Sequence, residues 1–386
     1  MKFTLQSNTY FGRDSIAALP EALIGSGLRR IGVIGDDAVV DLPPATGCLS
    51  DLARKGLEIA YVYRASTAHE PTYDYLDEVA RTLRADEPDG ILGIGGGSTL
   101  DLAKGVAILT RNPGRGIDYR GMNTVASPGI PVVLIPTTAG TGSEVTETAS
   151  FIDSATGVKF GINGRHVGCL FAVLDPTFVA TCPPSATVSA GLDALVHAVE
   201  AATCLSAHPL SMMLGAEGVR LMFKGLPAAV RNPADLGARE DTLLGSHYAG
   251  LAMRNAGGGP ASGISYPLGV HFSVPHGMAG GLLLPHVVAF NLAAGYAVGY
   301  AAIWDRLALA ADGDSLEAKA KSFSAKLFEL HQTIDAPRTF SRWGVARKDS
   351  GRLTELTMKE RRGNLDLNPV PFGERAVARL LDYVLE

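Results

Sequence analysis

Charge is scarce in this chain. Of its 386 residues, 19% are Asp, Glu, Lys or Arg, against ~25% in an average soluble protein. The signs nearly cancel, 34 Lys and Arg against 39 Asp and Glu leaving −5. With 46% hydrophobic residues, the chain is not intrinsically disordered. Without basic blocks it carries no electrostatic footprint for nucleic acid. Cysteine is sparse too: Cys48, Cys169, Cys182 and Cys204 form no C-x-x-C pair. This excludes a disulfide framework and reads as reduced thiols in a cytoplasmic protein. Residues 1–8 lack the apolar run of a secretory signal. Glycine, by contrast, is plentiful at 45 residues with no triplet period. That excludes collagen and promises close backbone approaches.

The deficit of charge is concentrated. From Asn255 to Trp304 there is no Asp, Glu, Lys or Arg. The stretch is nevertheless no membrane span. Its most apolar window, His286–Trp304, contains His286 and Asn291 and many small residues, and Pro260, Pro267, Pro275 and Pro285 interrupt what precedes it. A span needs ~20 predominantly apolar residues.

Residues 1–180 alternate short apolar runs with helical patterns. The runs are Ile31–Ile34, Gly90–Ile94 and Pro131–Pro136, and Tyr75–Arg84 places Leu76, Val79 and Leu83 on one helical face. Buried parallel strands read as continuous apolar runs, so this half is expected to be a doubly wound α/β domain. Past residue 180 the texture is helix upon helix. Pro183-Pro184-Ser185 is a helix start. Phe323, Leu327, Leu330 and Ile334, then Val377, Leu380, Leu381 and Val384, repeat at helical spacings. Two domains are expected, an α/β domain over 1–180 and an all-α domain over 181–386.

Gly93-Ile94-Gly95-Gly96-Gly97-Ser98-Thr99 joins an apolar strand to a helix, with Ser98 or Thr99 expected as its cap. Glycines admit a ligand close to the backbone, and a helix N-terminus attracts anions, so a pyrophosphate is the natural guest. The spacing is not G-x-G-x-x-G. Asp36 and Asp37 instead follow the Ile31–Ile34 strand, where an acidic side chain accepts from a ribose hydroxyl and repels a 2′-phosphate. A second loop, Pro136–Thr146, offers Thr137, Thr138, Thr141 and Ser143 at another strand end and suits a diphosphate and nicotinamide.

Asp193 and His197 are spaced i, i+4 on an apolar helix and share one face. A carboxylate and an imidazole so placed are half of a site for Fe²⁺ or Zn²⁺, or alternatively a buried hydrogen-bonded pair. Further ligands can come from the charge-free stretch, where Pro275-His276-Gly277 is the best candidate and His271 the reserve.

Taken together and in this order, these segments resemble the iron-containing alcohol dehydrogenase family of the group III, metal-dependent type. The resemblance spans Phe11-Gly12, Gly95–Ser98, Pro136–Val145, Leu174-Asp175-Pro176, Gly191–Glu200, Asn255-Ala256-Gly257, Pro275-His276-Gly277 and Leu284–Val287. It implies the dehydroquinate synthase-like plan of an α/β and an all-α domain, with a hydride-transfer site between them. It implies NAD as cofactor, with NADP as the variant, held by Gly95, Gly96, Gly97, Ser98, Asp101, Thr137, Thr138, Thr141, Ser143 and Lys159, Asp36 favouring NAD. Metal ligands carry over to Asp193, His197 and His276. The partners implied are a small carbonyl or alcohol compound and further copies of the chain, as a homodimer or larger homo-oligomer.

One position departs from the family pattern. The third metal histidine lies seven residues after the Asn of Asn-Ala-Gly, and here that residue is Ser262; four residues on, a frequent further imidazole is Tyr266. Three outcomes are open. The metal persists with His271 or water as substitute; it is absent, and His271 or Tyr266, beside His276, supplies the proton, as in relatives resembling maleylacetate reductase; or the chain binds without catalysing. A lyase resembling dehydroquinate synthase would need basic residues for an acidic sugar, and Asn255–Trp304 has none.

Overall fold

The computed structural model describes residues 3–5, 7–66 and 70–386. Met1, Lys2 and Gln6, part of the N-terminal segment read above, lie outside the described residues. The chain forms two compact units. One is Leu5–Cys182; the other is Pro183–Glu386, which Phe3 and Thr4 join. Thr4 donates its amide to Asn255 Oδ1 at 2.8 Å and its carbonyl accepts from Arg254.

The first unit is built on a six-stranded parallel sheet: β1 (Asn8–Phe11), β2 (Arg30–Asp36), β3 (Glu58–Ala65), β4 (Gly90–Gly95), β6 (Val132–Pro136) and β9 (Phe171–Leu174), in the order β1-β9-β6-β4-β2-β3. The apolar runs are continuous because both faces are covered. Ile31, Val33, Leu92, Ile94, Val133 and Ile135 meet Leu19, Leu23 and Leu52 on one side. Ile34, Ile91 and Leu134 meet Leu76, Val79, Leu83 and the Gly97–Arg111 helix on the other.

The chain runs from β2 outward to β3 and then crosses back to β4 on the other side of β2. That reversal opens a crevice at the carboxyl ends of β2 and β4, where ligands of doubly wound sheets bind. A second, small sheet escaped the sequence reading. It joins β5 (Gly121–Met122), β8 (Val158–Asn163) and β7 (Thr148–Asp153), with Phe151 opposite Phe160 and Ile152 opposite Lys159. Its signal was present, as the half-buried alternation of β7 and Gly157 at φ +66° in the turn.

The second unit is helical, with one large core that includes Leu192, Val196, Ile264, Leu283, Phe323, Leu327 and Leu380. The charge-free stretch folds into Pro260–Phe272, His276–Ala293 and most of Val298–Leu307. Pro260 opens one helix and Pro275 caps the next, but Pro267 and Pro285 lie inside helices and break nothing. No described helix is long and apolar enough to cross a membrane. The four cysteines are buried thiols, and burial pushes Cys48 and Cys169 up to about 12.

Candidate active site

In the first unit three adjacent strand ends converge. Asp36 closes β2, Gly95 closes β4 and Pro136 closes β6, with Gly95 opposite Pro136 in register. The Thr137 amide donates to the Gly95 carbonyl at 3.0 Å. Side chains from both neighbours press on the glycines. A Cβ on Gly95 would meet Thr99 Cβ at 2.6 Å and Asp36 Cβ at 2.9 Å, and one on Gly97 would meet Thr141 Cγ2 at 2.5 Å. Only glycine fits there, so the loop forms a cradle of bare backbone.

The expected cap is corrected by the structure. Neither Ser98 nor Thr99 caps the helix, which already begins at Gly97 with Gly96 as N-cap and no side-chain cap. The first-turn N–H groups therefore lack a side-chain acceptor, and an anion can satisfy them.

Not every predicted cofactor residue faces this cradle with a spare side chain. Asp101 accepts from Ser143 Oγ at 2.6 Å and the Ser150 amide at 2.9 Å, and pairs with Lys104 at 3.0 Å. Lys104 Nζ also donates to the Ser143 carbonyl at 2.9 Å and to that of Thr148. These contacts make Asp101, Ser143 and Lys104 the lock that shapes the Pro136–Thr146 loop. Lys104 was missed as such: its signal was a lysine on an otherwise apolar helix. Lys159 pairs with Glu70 at 2.8 Å on β8 of the small sheet.

In the second unit the Pro184–Thr203 helix carries Asp193 and His197, both buried, and the His276–Ala293 helix begins with the partly buried His276. One ligand atom from each lies within 4.8 Å of the others. Gly277 allows this approach: a Cβ there would sit 2.1 Å from the Ser189 carbonyl oxygen and 2.7 Å from Asp193 Cβ. The hydrogen-bonded alternative for Asp193 and His197 fails on distance. His197 Nε2 stands 3.6 Å from Asp193 Oδ1, too far for a hydrogen bond, and His197 Nδ1 is buried with no partner among the described residues. A carboxylate and two imidazoles, one with an orphaned nitrogen, fit a divalent transition metal. Three protein ligands with one position open is also the ordinary count for a catalytic ion.

Ser262 does not join this group. Its hydroxyl donates to Glu200 Oε2 at 2.6 Å. Glu200 also receives the amides of Gly259 at 2.7 Å, Ala261 at 2.7 Å and Ser262 at 3.3 Å. Burial pushes this carboxyl above its ordinary range, opposed by those same bonds. Glu200 thus closes the N-terminus of the Pro260–Phe272 helix, on the face of its own helix that carries Asp193 and His197. Ser265 Oγ lies 3.1 Å from His276 Nδ1, and the Tyr266 ring stands edge-on to His276 at 4.8 Å. His271, on the last turn of that helix, lies outside the three-ligand group. Desolvation and the charge of Arg352 lower its pKa, while Glu360 opposes them.

Two family descriptions match this chain, Iron-containing alcohol dehydrogenase over residues 6–176 and the Fe-containing alcohol dehydrogenase family, C-terminal, over residues 187–385. The chain belongs to the iron-containing alcohol dehydrogenase family. It is an oxidoreductase of the alcohol dehydrogenase class. It is 33% identical to the NAD-dependent methanol dehydrogenase of Bacillus methanolicus, over 87% of this chain and 89% of that one. Over 96% of its length, and 95% of the other's, it is 30% identical to the 1,3-propanediol dehydrogenase of Klebsiella pneumoniae. Among solved structures, 1,3-propanediol oxidoreductase superposes with a TM-score of 0.93 at 29% identity, covering 99% of this chain and 98% of that one. An alcohol dehydrogenase from Oenococcus oeni superposes with a TM-score of 0.92 at 26% identity, covering 99% of each chain. The family match thus rests on both halves of this iron-containing alcohol dehydrogenase. The alternative readings as a lyase or a binding homologue gain nothing from these relatives.

Proposed function

We propose that this dehydrogenase transfers hydride between NAD(H) and a small alcohol or carbonyl compound, with a divalent Fe²⁺ or Zn²⁺ ion held by Asp193, His197 and His276. The carrying observation is the close group of these three side chains, with the buried His197 Nδ1 orphaned beside it. The NAD-dependent relative supports the choice of nucleotide. Ser262, where the family resemblance places a third histidine, is read as no ligand, because its hydroxyl is given to Glu200.

Each residue has a share of the work. Gly95, Gly96, Gly97 and Ser98 present N–H groups to the pyrophosphate, with Thr137, Thr138 and Thr141 lining the same loop pair. Asp36 accepts from a ribose hydroxyl and repels a 2′-phosphate. Nicotinamide supplies the hydride when bound, and a metal ion, when bound, polarises the carbonyl as a Lewis acid. Ser265 orients the His276 ring through Nδ1, and such an outer contact sets the aim of a ligand. Tyr266, against His276, holds the proton that the new alcohol needs, with His271 the more distant candidate. As part of the same proposal, the active form is a homo-oligomer.

The test is a fluorescence titration with NADH and NADPH, followed by NADH oxidation at 340 nm with a panel of aldehydes. Tighter NADH binding, turnover, and an Asp36→Ser variant shifted toward NADPH are expected. Nucleotide binding without turnover of any aldehyde would sink the assignment.

A further inference from the structure

The charge-free stretch receives a cation from elsewhere in the chain. Arg361 stands at the break between the Ser350–Glu360 and Arg362–Asp366 helices. Its backbone is held on both sides: the amide donates to the Thr357 carbonyl at 2.9 Å, and the carbonyl accepts from the Asn364 amide at 2.9 Å. Leu353 and Leu365 of these two helices share a core with Ile264 and Leu268 of the Pro260–Phe272 helix. Gly263 lets them come close, since a Cβ there would meet Asn364 Cβ at 3.0 Å and Arg361 Cβ at 3.5 Å. The root of the arginine is therefore fixed. Its side chain, in a residue only 9% exposed, lays the guanidinium carbon 3.6 Å from the centre of the Tyr266 ring.

Tyr266 carries this contact to the candidate metal group. Its ring stands at 71° to the His276 ring with centres 4.8 Å apart, within the preferred range for an aromatic pair. The preceding residue, Ser265, places its Oγ 3.1 Å from His276 Nδ1. Two consecutive residues of one helix thus meet the same imidazole. A contact to one ring atom fixes a direction and leaves the ring free to pivot about it, whereas a second ring packed alongside stops the pivot. That second ring must itself be held. A guanidinium keeps its charge at any working pH and attracts the π face electrostatically, most strongly where water is scarce.

We propose that Arg361 is a positioning residue: through the face of Tyr266 it fixes the His276 ring in the aim that a divalent ion needs beside Asp193 and His197. The proposal rests on the metal reading above and names what holds one of its ligands.

The test titrates Zn²⁺ calorimetrically into chelator-treated wild type, Arg361→Gln, Tyr266→Leu and the double variant. Outer contacts of a metal ligand are worth ~10–100-fold in affinity, so Arg361→Gln is expected to weaken Zn²⁺ binding about tenfold. Tyr266→Leu should weaken it at least as much. In that background Arg361→Gln should add nothing, because the ring it acts through is gone. Tyr266→Phe keeps the ring and should stay near wild type, and Arg361→Lys, which keeps the charge without the plane, should recover part of the loss. Affinity unmoved by Arg361→Gln, or a loss of equal size with and without the Tyr266 ring, would overturn the proposal and leave Arg361 a general support of the fold.

If wild type takes up no Zn²⁺, the metal reading fails and the ring is followed directly, by the His276 Cε1–H resonance in carbon-labelled protein, assigned by its loss in His276→Gln. A resonance that Arg361→Gln moves in wild type but not in Tyr266→Leu still supports the positioning role. Any other pattern overturns it. Circular dichroism confirms that the variants are folded, and where Arg361→Gln does not fold, Arg361→Lys takes its place in the cycle with the same readings.

Discussion

Ser262 Oγ donates to Glu200 Oε2 at 2.6 Å. This hydroxyl is therefore part of a helix N-terminus and not of the group formed by Asp193, His197 and His276. Ser262→Ala removes one of four bonds to a buried carboxylate, and a cost of about 1–3 kcal/mol in chemical denaturation is expected, with no change in bound metal. Ser262→His adds an imidazole near Asp193, His197 and His276, and should raise Fe²⁺ or Zn²⁺ occupancy by elemental analysis. Unchanged occupancy would mean that the helix presents position 262 away from the group.

Gly277 and Asp193 make the second relationship. Any side chain at 277 meets the Ser189 carbonyl and Asp193 Cβ well inside contact distance, and backbone cannot yield as a flexible side chain does. Gly277→Ala should cost about 1–3 kcal/mol in denaturant, the usual range for overpacking, and should lower metal occupancy by displacing His276. Normal occupancy with full stability would refute the close approach.

Lys104 links the Gly97–Arg111 helix to the Pro136–Thr146 loop through the carbonyls of Ser143 and Thr148 and the Asp101 carboxylate. Lys104→Met leaves these acceptors buried, and a loss of about 3–5 kcal/mol is expected. NADH affinity should fall at least tenfold in a fluorescence titration, because the cradle loses one wall. Affinity equal to wild type would separate the lock from the cradle.

His331 and His286 contribute to the pH behaviour of the helical unit. His286 stacks on Tyr383 at 5.0 Å, and His331 Nε2 is enclosed with no partner among the described residues. Burial, and to a lesser degree the charge of His286, lowers the His331 pKa from 6.5 to about 4. The unfolded chain then takes up this proton before the folded one. Stability is fully present above pH 6.5 and is lost as pH falls to about 4, by an amount on the order of 3 kcal/mol. Burial lowers His286 as well, which adds to the loss. Melting temperatures measured from pH 7.5 to 4 should fall across this window, and His331→Leu should flatten the fall.

Much of this molecule was legible in its sequence, and particular residues show why. The runs at Ile31, Gly90 and Pro131 are continuous because both sheet faces are covered, and Gly95-Gly96-Gly97 announces a backbone cradle. The spacing of Asp193 and His197, with Pro275-His276-Gly277, announces the three-residue group of the second unit. What the sequence could not reveal depends on meetings between distant segments. Nothing local marks Arg361 as the cation on Tyr266, or ties Ser262 to Glu200. The mistaken cap at Ser98 or Thr99 came from a rule for helices that satisfy their own termini, whereas this one opens bare at Gly97.

The most direct test of the account is NADH-dependent aldehyde reduction, measured on the same preparation before chelation, after it, and after return of Fe²⁺ or Zn²⁺. The account predicts that turnover is lost with the metal and regained with it, and that His276→Ala abolishes the recovery. Turnover that ignores the chelator, in protein that elemental analysis shows to be free of metal, would contradict it.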